Sequence, residues 1–282
     1  MAAFPVLLVY LAVPLAVGAQ RTAILSPDMT GHSRSFAEKL GSQLQDKIRI
    51  LDADLSRTAY ASVLLETPFN LTVDESKRVG EVIGCDAFIL IRSATQRRSA
   101  FGKPEYYEAF AVIYLVSSRT GRLVLWRLLS REAPTPDQAG ALLHAQAGEL
   151  SDEIAKNIRS SVSREINEPP SVTMEEIPEE NSPLAKGFRA PVPYRRIKPE
   201  YTQIAALYEV AATVEALVDL DALGTVKRVE IVRWAGFGLD ESVEKAIRAM
   251  NWRPAERNGK PLAMRFLVRY NFKKIEKDPP AQ

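Results

Sequence analysis

The chain has 282 residues, 46% apolar and 26% charged, which is more than one typical domain needs, and two compact domains of about 100–150 residues each are expected. Lys and Arg number 37 against 35 Asp and Glu, a formal charge of +2 that excludes the chain-wide basic field of a nucleic-acid binder. A single cysteine, Cys85, excludes an internal disulfide, so the domains must be held by their cores.

Residues 1–19 are an uncharged apolar run ending in Val17-Gly18-Ala19, small residues that suit signal peptidase, with Gln20 as the new N-terminus. Pro5 and Pro14 favour cleavage over anchoring. The run has no Lys or Arg before it, which keeps an uncleaved signal anchor, and inner-membrane association with it, as the alternative.

From Arg21 to Val162 the pattern alternates. A strand near Thr22 to Leu25 is followed by an amphipathic helix over Ser35 to Gln45, a strand at Ile48 to Leu51, and a helical stretch from Leu55 to Leu65. A helix from Val73 to Ile83, introduced by Thr72 and Asp74, closes at Gly84. The almost wholly apolar Ala87 to Ile91 reads as a strand buried on both faces, so a partly parallel sheet is expected. Tyr106 to Val116 and Leu123 to Leu129 form a hairpin turning at Gly121, and a long helix from Asp137 to Val162 covers one face.

Catalytic constellations are sparse. His32 and His144 lack metal-ligand spacing and read as ordinary polar positions, and neither a Gly-x-Ser-x-Gly elbow nor a phosphate-cradling loop is present. The expectation is a protein that is not an enzyme, with no metal and no cofactor. Cys85, between Ile83-Gly84 and an apolar strand, reads as buried; an enzyme using Cys85 or Asp86 is the competing class and needs an exposed, reactive thiol. Arg97, Arg98, Phe101, Lys103, Tyr106 and Tyr107 read as a solvated connection, with a basic and aromatic recognition loop as the alternative. The sequon Asn70-Leu71-Thr72 carries no weight.

Residues 163–194 shift to glutamate and proline, with Glu175, Glu176, Glu179, Pro178 and Pro183, and then to the basic Lys186 and Arg189, a basic run that continues into the next domain with Arg195 and Arg196. No apolar period survives, so this segment reads as an extended linker that reaches about 90–100 Å at polyproline rise.

The second domain, residues 195–275, opens with Pro199-Glu200-Tyr201 and continues through two strands, around Val214 to Leu220 and Val226 to Val232, to a helix. Leu239, Val243, Ala246, Ile247 and Met250 line one helical face, Trp252 and Pro254 follow, and Asn258-Gly259 turns the chain into a strand from Leu262 to Phe272. Met264, Phe266, Val268, Tyr270 and Phe272 alternate against Arg265, Leu267, Arg269 and Asn271.

This ordered set closely resembles a TonB C-terminal domain, departing from it at Thr202, Glu209 and Ala212, where the family has a proline and two glycines. The first domain, through Val79-Gly80, Ile83 to Leu90 and Thr120 to Trp126, resembles the TolB amino-terminal and CsgG-like periplasmic domains. Together these imply an α/β plus α+β fold: an N-terminal mixed β-sheet with flanking helices and a C-terminal β-β-α-β unit. They also imply a periplasmic, cell-envelope location in a Gram-negative-type bacterium. The TonB resemblance implies that the last strand is a sheet edge that accepts an extended segment of an outer-membrane transporter or other envelope protein. Leu262, Met264, Arg265, Leu267, Arg269, Asn271 and Tyr201 are the partner-binding candidates, with Arg265 and Arg269 either selecting an acidic or polar segment or only solubilising the edge. Energised transport and a periplasmic adaptor without force coupling both stand as readings, and pairing of two copies through the same edge is open.

Overall fold

The computed structural model describes residues 20–99, 104–167, 174–179 and 181–273. The expected signal segment 1–19 and the residues Phe101 and Lys103 of the expected connection lie outside these.

The first domain opens with β1 (Arg21–Leu25), α1 (Gly31–Leu44), β2 (Arg49–Ile50), α2 (Ala53–Ala61) and α3 (Val73–Ile83). It continues with β3 (Ala87–Arg98), β4 (Tyr106–Ser117), β5 (Leu123–Ala133), α4 (Pro136–His144) and α5 (Ala147–Ile166). Polar side chains set the helix starts: Thr30 accepts from Ser33 N, Asp52 from Leu55 N and Thr135 from Gln138 N. Thr72 and Glu75 form a reciprocal capping box on α3, which ends at left-handed Gly84. The expected single helix over 137–162 is two helices, α4 and α5, with α5 running on to Ile166.

The sheet runs β2-β1-β3-β4-β5, parallel across β2, β1 and β3 and antiparallel from β3 to β5. β3 is longer than its apolar run, so Arg97 and Arg98 sit on the strand opposite Tyr107 and Tyr106 rather than in a loop. One face, with Ile89, Ile91, Ile113 and Leu115, packs on Phe36, Leu40, Leu143, Ile154 and Ile158 of α1, α4 and α5.

The other face of β3 and β4 carries Phe88, Leu90, Phe110, Val112, Tyr114 and Val116, and it shares one core with the second domain. That domain comprises α6 (Gln203–Leu207), β9 (Ala212–Leu220), β10 (Val226–Arg233), α7 (Leu239–Ala249), β11 (Trp252–Arg253), β12 (Ala255–Arg257), β13 (Lys260–Leu262) and β14 (Met264–Phe272). The apolar loop Trp234 to Phe237 drives into the first domain. Trp234 stands 5.4 Å from Tyr114 and Phe237 4.9 Å from Trp126, ring centre to ring centre, and Tyr208 stands 4.9 Å from Phe110. Gly236 adopts φ +73° against the Trp126 ring, where a Cβ would lie 2.4 Å from the indole.

Between the domains the described linker is fastened down, not free. β6 (Glu175–Glu176), a 3-10 turn at Pro183–Ala185, β7 (Phe188–Arg189) and β8 (Val192–Pro193) all lie in it. β6 pairs with β14, β7 with β12 and β8 with β11.

Candidate functional site

In the sheet β10-β9-β14-β6, β14 pairs antiparallel with β9 at every position from Met264 to Phe272. Its other side meets only β6 among the described residues, at Met264 and Arg265, so the edge from Phe266 onward has no strand beside it. An unpaired edge displays main-chain donors and acceptors to any extended chain. The inner face of β14 is core: Met264 is fully buried, Phe266 meets Trp252 edge to face at 5.1 Å, and Phe272 is buried at the far end.

The outer face is a lattice of charge. Asp219 on β9 accepts two bonds from Arg265, at 2.6 and 2.8 Å, and Glu215 accepts one from Arg269 at 2.6 Å. On the β10 side, Arg233 comes within 3.5 Å of Glu215, and Arg228 pairs in register with Asp219. Both carboxylates are buried beneath their arginines. Arg265 is thus engaged within its own sheet and mostly covered, whereas Arg269 keeps 60% of its side chain exposed and Leu267 stands 47% exposed between them. Asn271 accepts from the Thr213 hydroxyl at 2.8 Å.

Five of the seven partner-binding candidates therefore lie on β14. Leu262 does not: it ends β13, opposite Ala255, because the expected strand over 262–272 divides at Ala263. Tyr201 stacks on Phe272 at 6.2 Å, and its hydroxyl donates to the Ala205 and Val210 carbonyls, so it braces the end of β14 from within the fold. The departures also find their places. Thr202 caps α6 and donates to the Phe237 carbonyl at 2.6 Å, while Glu209 takes the left-handed φ of +51° that a glycine adopts freely.

Several key residues gave no motif in the sequence. The Asn70 amide donates to the Thr213 and Trp234 carbonyls at 2.8 and 2.7 Å and accepts from Thr213 N at 2.9 Å, clamping the two domains from a buried position. Glu108, buried on β4, accepts from Tyr208, Ser130, Arg98 and Gln96. Burial opposes its charge, but those bonds hold its pKa down to about 2. Tyr208 is pushed up to about 12 by burial and by its bond to Glu108. Asp240 accepts from Ala235 N and Gly236 N, both at 2.9 Å, yet burial outweighs those bonds and raises it to about 7. The apolar loop Trp234 to Phe237 was the available signal, since connections are ordinarily polar and exposed.

Cys85 is buried 3.4 Å from the Ser118 hydroxyl, and burial raises its thiol pKa, which works against a thiolate nucleophile. His32 and His144 line one cavity of about 280 Å³ with Asp137, though among the described residues no cluster of three or more His, Cys, Asp or Glu is placed to hold a metal. No described helix is long and apolar enough to cross a membrane.

Residues 197–273 match the Gram-negative bacterial TonB protein C-terminal family. No curated protein matches the chain. Among solved structures, the TonB C-terminal domain of Pseudomonas aeruginosa is similar at 21% identity, over 32% of this chain and 90% of that one, with a TM-score of 0.27. A lipoprotein from Neisseria meningitidis is similar at 15% identity over 49% and 99% of the two chains (TM-score 0.34). A hypothetical protein from Chlamydia trachomatis is similar at 11% identity over 53% and 98% (TM-score 0.30).

Proposed function

We propose that this chain, whose residues 197–273 match the TonB C-terminal family, is a TonB-family envelope protein that binds an extended segment of an outer-membrane transporter or other envelope protein by strand addition to β14. The observation that carries this reading is the edge from Phe266 to Phe272, which has no strand beside it among the described residues and is backed by β9 along its whole length. Main-chain pairing supplies affinity with little demand on sequence, and the side chains at Leu267, Arg269 and Asn271 read the partner. Residues 1–19 direct export to the periplasm.

Two forms of the function divide on reach. Energised transport needs an anchor and a linker that crosses the periplasm. The shared core around Trp234 and the fastening of β7 and β8 to the C-terminal domain favour the periplasmic adaptor, in which both domains act as one body.

A pull-down from envelope extract with the whole chain as bait tests the binding. Adjacent N–H groups on a strand point to opposite edges, so of Leu267→Pro and Val268→Pro one breaks a bond to β9 and the other only blocks the open edge. The variant that keeps the wild-type melting temperature is the informative one, and it is expected to lose the outer-membrane partner. Full retention of that partner removes the proposal.

A further inference from the structure

Two rungs of the acceptor edge are already occupied. β6, from the chain's own linker, runs parallel to β14 with Glu175 opposite Met264 and Glu176 opposite Arg265. Glu175 forms an ion pair with Arg257, and the charge of Glu176 acts on Arg265. In this register residue 177 would stand opposite Phe266 and residue 178 opposite Leu267, but residue 178 is proline, which has no N–H for a ladder. Among the described residues pairing stops after two residues, and the rest of the edge is open. Both glutamates are exposed, and so short a strand is a marginal structure by itself.

From this arrangement we infer that Glu175-Glu176 is an internal competitor for the partner-binding edge. The segment sits where an incoming strand starts and is held by two rungs and one ion pair. It must leave before a partner pairs along all of β14. The inference rests on the reading of β14 as an acceptor edge and adds to it an occupant and a partner class. The competing external segment is extended, runs parallel to β14 and places acidic side chains toward Arg257 and Arg265. Charge separates this strand from an unspecific one, because Arg257 pairs with Glu175, Arg265 stands opposite Glu176, and the exposed Arg269 lies further along the same edge. Tethering makes a weak segment effective: a short linker holds it at about millimolar local concentration, so a segment whose own affinity for the edge is about 100 μM weakens any external strand by about tenfold.

The test compares the whole wild-type chain with the double variant Glu175→Lys, Glu176→Lys, changed only at exposed positions. The probe is a labelled synthetic peptide of residues 174–182 carrying Pro178→Val, which in the β6 register reaches Asn271. Its binding is read by fluorescence anisotropy, and hydrogen exchange locates it. The variant chain is expected to bind the probe about tenfold more tightly than wild type, with new protection of edge-facing amides between Leu267 and Asn271. Equal affinity for both chains overturns the competitor and leaves the acceptor edge standing. Binding without that protection removes the acceptor reading and the inference with it, and binding to neither chain overturns the inference.

Discussion

Replacing Asn70 with alanine removes three interdomain hydrogen bonds at once. The Thr213 N–H and the carbonyls of Thr213 and Trp234 lose their partner in a buried seam. A net hydrogen bond contributes about 1 kcal/mol, and each buried group left unpaired costs about 1–3 kcal/mol, so a non-additive loss of about 3 kcal/mol is expected. For a cooperative unit of this size that lowers the melting temperature by about 6–12 °C. Asn70→Asp separates bond loss from packing. It keeps the acceptor for Thr213 N but turns a carboxylate toward two carbonyls, so it is at least as destabilising at neutral pH. It recovers part of the loss when acid protonates the carboxyl and restores one donor. Urea unfolding followed by tryptophan fluorescence suits the question, because Trp126 lies in the first domain and Trp234 and Trp252 in the second. A shared core requires one transition in the wild type. A loss below about 0.5 kcal/mol in Asn70→Ala, the range of ordinary surface substitutions, or two well-separated wild-type transitions, would refute the clamp.

Three further outcomes follow from the same geometry. Tyr208→Phe keeps the ring against Phe110 but removes the hydroxyl bond to Glu108, and chemical unfolding should show a loss of about 1.5–3 kcal/mol, as for hydrogen bonds to a charged group. Asp240, raised in the fold to about 7 from 3.8, binds its proton more tightly folded than unfolded; stability contributed below pH 3.8 is lost as pH rises through 7, by at most about 4 kcal/mol. Glu108, lowered to about 2 from 4.5, acts in the opposite sense, its contribution present above pH 4.5 and lost as pH falls through 2, so the unfolding free energy measured against pH should peak at about pH 4, where the two windows overlap, and Asp240→Asn should flatten the neutral limb. Glu209→Gly relieves a left-handed φ and should raise stability by about 0.5–1 kcal/mol, read as a shift of the denaturation midpoint at constant m-value.

Much of the fold was legible because its determinants are local. Capping at Thr72, the Gly84 stop, the two-faced apolar run at Ala87 and the alternation from Met264 to Phe272 each act over a few residues, and all were realised. The second face of β3 was the harder part. Its apolar pattern demands cover but does not say that the cover is the loop Trp234 to Phe237, some 140 residues on. Likewise alternation placed Arg265 and Arg269 on the outward face, but their engagement with Asp219 and Glu215 depends on strand register, which no single strand encodes. The linker composition gave no apolar period, and its attachment rests on main-chain pairing, which is nearly blind to side-chain pattern.

The most direct test of strand addition is site-specific photocrosslinking in envelope membranes, with the reactive group at Leu267 on β14 and, separately, at Leu223 on the exposed turn between β9 and β10. The expected result is a crosslink from position 267 to an extended segment of an outer-membrane protein, mapped by mass spectrometry, and none to that segment from position 223. Equal crosslinking from both positions, or a crosslink from position 267 only to a folded surface, would contradict the account.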